Sequence, residues 1–553
     1  MIKKVSQLKF QIKIKIIMKA IFTIICFLTM FVASAQWTTD TDLNTLVAES
    51  GELDVHAKGT SDGQTFVVYW KNVGPPTNIE LRMQVMDADG NQTLGNDGML
   101  VSDQIPMSTS TVIMSTIVDA DDNLYIGVTG TAGGDPAYVF KMDSGGNYLW
   151  GSNGVNIGSG NVVTVLPLSA GGAIVSWLSS SGAVMQKYDA SGTAVWPDTQ
   201  PITTGSGVTS PGNFFEITGG EYIAVFHKLL SGINSFLYAQ RYDADGNPVW
   251  ANAIQISDRA TAFIRSYTGL QDGDVVYMGY FASAGTRFDS YLQRINPDGT
   301  LPWGINGSDF DTNETNYEMD TEIAFQTGSQ YIWSIATYTD NTQNQKGEYV
   351  QKFDKDTGAR EFTDTAKNIY PLGSDKVHSG ALRLLGNSPL FILKDGFDNG
   401  VSPVTLHALY LDDNGDFGWP EETRPVATFS ASKSRIQFTS EGAGQNVAVF
   451  AEDKGTGMKI YAQNVEDSTV GIEEFSNDSI FFANPVKNEM LLKSNSSIEA
   501  LSIFNILGQQ LFSAKYIGEK TISIDTQSWT SGIYFMNVST KEGIKKGIKI
   551  VKQ

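Results

Sequence analysis

The sequence predicts an all-β protein: a β-propeller of eight blades, with seven as the alternative count, followed by a small Ig-like β-sandwich. Three observations carry this. Gly is abundant at 55 residues, and segments of 3.6-residue periodicity are scarce after the N-terminus. One short pattern recurs along most of the chain. Each recurrence sits in the same run of four strand-like segments, the content of one blade. A chain of 553 residues is also too long for one ordinary core unless it grows by adding units.

Residues 1–35 differ from the rest. MIKKVSQLKFQIKIKII is basic without an acid, and MKAIFTIICFLTMFVASAQ adds an apolar run ending in Ala33-Ser34-Ala35. This reads as a secretory signal peptide cleaved before Gln36, complete even if translation starts at Met18. No later segment is apolar enough to span a membrane as a helix. Cleavage removes six lysines from a net charge of −21, which leaves −27, and it removes the single cysteine, Cys26. The mature chain then has no disulfide and no cysteine nucleophile. Its negative charge argues against nucleic acid as a partner, because phosphate binding needs a basic surface.

The recurring pattern is QRYDADGNPVW, Gln240 to Trp250. Altered copies are MQVMDADGNQTL, VFKMDSGGNYLW, MQKYDASGTAVW, LQRINPDGTLPW, VQKFDKDTGAREF and ALYLDDNGDFGW, and YAQNVED is a lapsed eighth. Counted from the Gln position, the anchors fall at 84, 140, 186, 240, 293, 351, 409 and 463, with Phe140 and Leu409 in place of Gln, in steps of 46 to 58 residues. That period marks a propeller or related array. In each copy the Asp opens a turn by accepting backbone amides, the Gly takes a positive φ, and the Trp is expected on the outer strand, covering the gap to a neighbouring blade. Two aspartates in so short a turn fall short of the roughly six to eight oxygens a calcium loop needs. The unit around Gln463 lacks a fourth strand. QWTTDTDLNTLVAES, at the mature N-terminus, matches that strand and is expected to complete it, hiding sheet edges. The propeller is thus assigned to 36–467 and a linker to 468–478.

Residues 479–553 break the repeat and alternate like short strands. They contain Asn484-Pro485-Val486, then Ile503-Phe504-Asn505-Ile506-Leu507-Gly508-Gln509, then Ser531-Gly532-Ile533-Tyr534-Phe535, and a basic last strand with Lys545 and Lys546. In order and position these motifs resemble the type A C-terminal sorting domain of type IX secretion cargo from Bacteroidetes-type bacteria. The resemblance implies Asn484, Pro485, Gly508, Gln509, Gly532, Tyr534, Lys545 and Lys546 as sorting-motif residues and the type IX machinery as partner. It also implies passage through the periplasm to the cell surface or the medium. It says nothing of the propeller's task.

Within the repeats, His56, His227, His378 and His407 show no metal-ligand spacing, and no nucleophile elbow or phosphate loop stands out. Trp70, Trp177 and Trp333 are placed in the core between blades. The clearest departure from the repeat is DFDTNETNYEMDTE, with Asp309, Asp311, Glu314, Glu318 and Asp320. These are the candidate metal ligands, with calcium the cation considered and no cofactor otherwise expected; the competing reading is a solvated acidic loop. The functional expectation is a secreted binding or interaction module for a glycan or protein. An extracellular enzyme acting on polysaccharide or peptide, and a structural surface component, are the alternatives.

Overall fold

In this computed structural model the structure describes residues 37–50, 53–74, 79–108, 114–230, 234–262, 267–397, 399–440, 442–465, 480–481, 486–505, 509–530, 532–540 and 545–552. The segments read from sequence as signal peptide and linker, with Asn484, Pro485 and Gly508, lie outside them. Among the described residues there is no α-helix, and no helix is long and apolar enough to cross a membrane. The chain divides into two compact units, Met1–Glu466 and Asp467–Gln553.

The first unit is a succession of eight antiparallel sheets: six have four strands, one has five and one has six. The fourth repeat illustrates the plan. Phe214–Ile217 pairs with Glu221–Leu229, which pairs with Asn234–Tyr242, which pairs with Ile254–Gln255. Residues Tyr222 to His227 are buried without a break, because both faces of the strand meet another sheet. Ala224 and Phe226 pack towards the third sheet, and Ile223 and Val225 towards the fifth.

The same arrangement recurs between every consecutive pair. Seven apolar clusters lie one between each sheet and the next, from first and second through seventh and eighth. The remaining cluster joins the eighth sheet to the first: Val47, Val447, Val449 and Ile460 pack with Val55, Val67 and Tyr69. The N-terminal strand Thr45–Ala48 pairs with Met458–Asn464 and so supplies the fourth strand of the eighth sheet. This is the pairing that the repeat pattern predicts.

The repeat motif is spent on this packing. Asp243 accepts hydrogen bonds on Oδ1 from the backbone N–H groups of Asp245 and Asn247, at 2.9 and 2.8 Å. Asp87, Asp189 and Asp412 do the same in their turns. Gln240 donates to the carbonyl of Trp250 at 3.2 Å and accepts from the N–H of Arg241 at 2.9 Å, which pins the loop back on its strand. Trp250 lies in that loop, ahead of the short outer strand rather than on it. There it reaches the next repeat and donates from Nε1 to the carbonyl of Pro297, beneath Gly299, at 3.1 Å. Trp37 and Trp150 donate likewise to Ala88 and Ala190. Each indole face lies under the turn glycine of the following repeat, which is why that position lacks a side chain. Trp70, Trp177 and Trp333 are buried between sheets, as expected.

In the second unit five strands are hydrogen-bonded into one antiparallel sheet. Where a small sandwich is expected from sequence, the described residues form this one sheet, with two long strands, Glu489–Asn505 and Gln510–Asp525. Their pairing breaks register between Lys493 and Ile498. Such breaks bend a strand, so the halves on either side contribute to one core: Met490, Leu492 and Ile524 with Leu501, Ile503, Met536 and Ile550.

Candidate functional site

The acidic stretch does not form one loop. Asp309 ends the last strand of the fifth sheet, Ser308–Asp309, and Glu318 and Asp320 belong to the first strand of the sixth, Tyr317–Ala324. The strand's period and a register break between Met319 and Glu322 then separate the acids. Glu318 is buried, Glu314 is exposed, and Asp320 is exposed with a φ of 53° at the break. No group of three or more His, Cys, Asp or Glu side chains among the described residues is placed to hold a metal ion. The five acids therefore do not assemble as one cation site.

Asp311 and Glu318 do meet, below the surface. Tyr338 donates from its hydroxyl to Asp311 Oδ2 at 2.5 Å, and the Asn313 N–H donates to Oδ1 at 2.6 Å. Glu318 Oε2 accepts from the backbone N–H of Ser290 at 3.1 Å. Burial, and then the adjacent Asp311, push the Glu318 carboxyl far above the usual range. It therefore carries a proton at neutral pH, since two like charges so close cannot both be left ionised. Burial, then Glu318 and Asp311, also raise the Tyr338 hydroxyl. Asp311 is 2% exposed and Glu318 is 0% exposed. The pair fastens the loop to the sheet, with Glu318 closed to a substrate and Asp311 at the floor of the space above it.

Above it lies a cavity of about 300 Å3, lined by Arg259, Arg287, Asp289, Asp309, Asp311 and Asn313, among others. These come from three places: the segment leading into the fifth sheet, its central hairpin, and the loop to the sixth sheet. Arg287 grips the buried Asp289 in a fork, Nε to Oδ1 at 2.7 Å and Nη2 to Oδ2 at 2.9 Å. Tyr291 donates to Asp289 Oδ2 at 3.2 Å. Arg259 is set over the Tyr291 ring, 5.0 Å from its centroid, and stands 4.0 Å from Asp289. Burial, then Asp289 and Asp311, push the Asp309 carboxyl up to about 6.

A second charged group joins the first strand of the seventh sheet, which carries His378, to the third strand of the sixth, which carries Glu348. His378 Nδ1 is 2.9 Å from Glu348 Oε1, and both are buried. Burial opposes the charge on His378, but Glu348, Asp320 and Glu322 outweigh it and raise the ring to about 9. Lys58 is lowered to about 8, by burial and then Arg383, against the pull of Glu322. Sequence reasoning passed over Arg259, Arg287 and Asp289 because they lie in other segments. Glu348 and Lys58 were legible only as charges at strand positions otherwise apolar.

Of the sorting-motif residues, Tyr534 is buried and donates from its hydroxyl to the Thr530 carbonyl at 2.7 Å. Gln509 closes its turn on Asn505, with side chains 2.8 Å apart. Gly532 begins the strand Gly532–Thr540. Lys545 and Lys546 open the last strand, Lys545–Lys552.

Residues 481–553 match the family model of the secretion system C-terminal sorting domain. The protein is thus type IX secretion cargo, exported by way of the periplasm to the cell surface or the extracellular space. No curated protein matches the chain. Among solved structures, prolyl oligopeptidase B from Galerina marginata is similar at 12% identity and a TM-score of 0.40, over 73% of this chain and 55% of that one. A structure described as the eukaryotic initiation factor is similar at 8% identity and a TM-score of 0.38, over 87% and 92%. The chain spans little more than half the length of the peptidase.

Proposed function

We propose that the first unit is a closed β-propeller of eight blades, and that after export it binds an extracellular ligand in the cavity between the fifth sheet and the loop that follows it. Eight interfaces of the same kind, the last joining the eighth sheet to the first, support the ring. Cleavage of residues 1–35 starts the export route and the sorting domain completes it. The observation that carries binding is the cavity itself. Elsewhere the repeat's polar residues are consumed by turns and latches. Here the pattern is interrupted, and charged side chains from three segments converge on about 300 Å3 of accessible space. Binding sites concentrate where loops on a rigid scaffold enclose such a space.

The test is a thermal-shift screen of the secreted chain against polysaccharides and peptides. A ligand at a hundred times its dissociation constant adds about 2.7 kcal/mol of stability. A panel member is expected to raise the melting temperature without being cleaved, and Thr312→Trp, at the cavity lining, is expected to abolish the shift. Cleavage products would establish an enzyme instead. A flat screen would favour a structural surface component.

A further inference from the structure

We propose that the cavity between the fifth sheet and the loop that follows it takes an uncharged, polyhydroxylated ligand, a neutral sugar residue of an extracellular glycan, held between Arg259 and Asp309. This rests on the reading of the cavity as the binding site and adds its chemistry.

The argument begins with what the lining leaves unsatisfied. Among the described residues the Arg259 guanidinium donates no hydrogen bond. Its recorded interactions are the stacking on Tyr291 and the long 4.0 Å approach to Asp289. A guanidinium carries five donors in a fixed fork. The Asp309 carboxylate accepts no hydrogen bond among the described residues; only its backbone carbonyl is engaged, by Arg360 at 3.0 Å. The two do not approach within ion-pair distance of each other. A set of donors and a set of acceptors thus face one space unused. A ligand there must accept from one and donate to the other.

Charge narrows the choice. Arg259 and Arg287 face Asp289, Asp309, Asp311 and Glu314, while Glu318 is protonated. The sum is negative, so an anionic ligand would be brought up against carboxylates. A cationic ligand would meet two guanidiniums. Taking an ion out of water costs several kcal/mol unless it is well paired, and neither sign is well paired here. A hydroxyl carries no such cost and is both donor and acceptor. Neighbouring hydroxyls on one ring can accept from Arg259 and donate to Asp309 together. Apart from Ala284 and Gly285 the lining residues are polar, which excludes a predominantly apolar ligand. The volume stands at the lower end of the 300–1,000 Å3 range of ligand pockets, enough for one sugar unit of a longer chain.

The geometry is held by groups that do not themselves need the ligand. Arg287 and Tyr291 fix Asp289, Tyr291 carries Arg259, and the buried Asp311–Glu318 pair fixes the loop. Arg259 can therefore be altered without dismantling the sheet.

The experiment is isothermal titration of the secreted chain with neutral oligosaccharides, uronic-acid oligosaccharides, amino acids and dipeptides. The wild type, Arg259→Gln and Asp309→Asn are compared, with Asp245→Asn on a remote turn as control. Melting temperatures of all four establish that they are folded. At least one neutral oligosaccharide is expected to bind the wild type and the control equally. Loss of one hydrogen bond to a charged group should weaken binding roughly ten- to a hundredfold in each pocket variant. Binding confined to uronates, amino acids or dipeptides, and sensitive to Arg259→Gln, would overturn the sugar assignment and leave the site standing. Sugar binding unchanged in both pocket variants would overturn the site. No binding by any member of the panel would overturn both.

Discussion

Gln463 donates a hydrogen bond from Nε2 to the backbone carbonyl of Thr38, 425 residues earlier in the chain, at 2.7 Å. Its Oε1 accepts from Asn44 at 2.9 Å. In other repeats the equivalent Gln binds its own repeat's loop, as Gln240 binds Trp250. Here the loop comes from the opposite end of the unit. Gln463→Leu leaves the Thr38 carbonyl without its donor and removes one of the two acceptors of the Asn44 amide, which keeps Val426; the cost is about 1–3 kcal/mol. Urea denaturation should show that loss. Removing residues 36–48 should do far more, because it also exposes Val447, Val449 and Ile460. The truncated chain is expected to aggregate on sizing chromatography.

The Trp-under-Gly latch predicts a coupled pair. Gly192 has a φ of 83°, and a Cβ there would lie 2.8 Å from the Trp150 ring. Gly192→Ala is expected to cost about 2–3 kcal/mol, from strain and overpacking together. Trp150→Ala should cost about 3–5 kcal/mol. In the double variant the clash is gone, so its loss should be smaller than the sum of the two singles. A strictly additive result in a double-mutant cycle would contradict the contact.

The His378–Glu348 pair predicts a pH dependence. The ring is raised from about 6.5 to about 9 in the folded state. The folded protein then holds a proton that the unfolded chain releases, so stability falls as pH rises through that interval. The contribution is fully present below pH 6.5 and lost above 9. Lys58, lowered to about 8, acts with the opposite sign between about 8 and 10.5. The comparison of wild type with His378→Gln isolates the histidine. The gap in melting temperature between them should be wide at pH 6 and narrow at pH 9.5.

Glu318 is predicted to tolerate amidation. Its carboxyl already carries a proton, so Glu318→Gln keeps a neutral donor against Asp311, and a change below about 1 kcal/mol is expected. Tyr338→Phe removes the donor to Asp311 Oδ2 and should cost about 1–3 kcal/mol. Chemical denaturation of the two variants checks both, and a larger loss in Glu318→Gln than in Tyr338→Phe would mean that the glutamate is ionised.

The repeats were legible because each recurring residue does one local job. The aspartate ties a turn, the glycine clears space for a ring, and the glutamine holds a loop. The tryptophan's partner was legible, but its seat in the loop was not, because the outer strand of the fourth sheet shortens to Ile254–Gln255. The cavity was legible only by half. Sequence singled out Asp309 and Asp311 as departures from the pattern. Arg259 and Arg287, which give the space its chemistry, precede them by more than twenty residues, and pairing within the fifth sheet, Tyr291 opposite Asp309, brings Arg287 and Asp289 to them. Glu318 and Asp320 were misgrouped with Asp309 because adjacency in a chain conceals which face of a strand each residue takes.

The pairing of Thr45–Ala48 with Met458–Asn464 also sets an order in time. The strand that leaves the ribosome first has its partner among the last residues of its unit to be made. Until those arrive, the apolar edge of the first sheet has no neighbour, and every intermediate carries one open seam at each end.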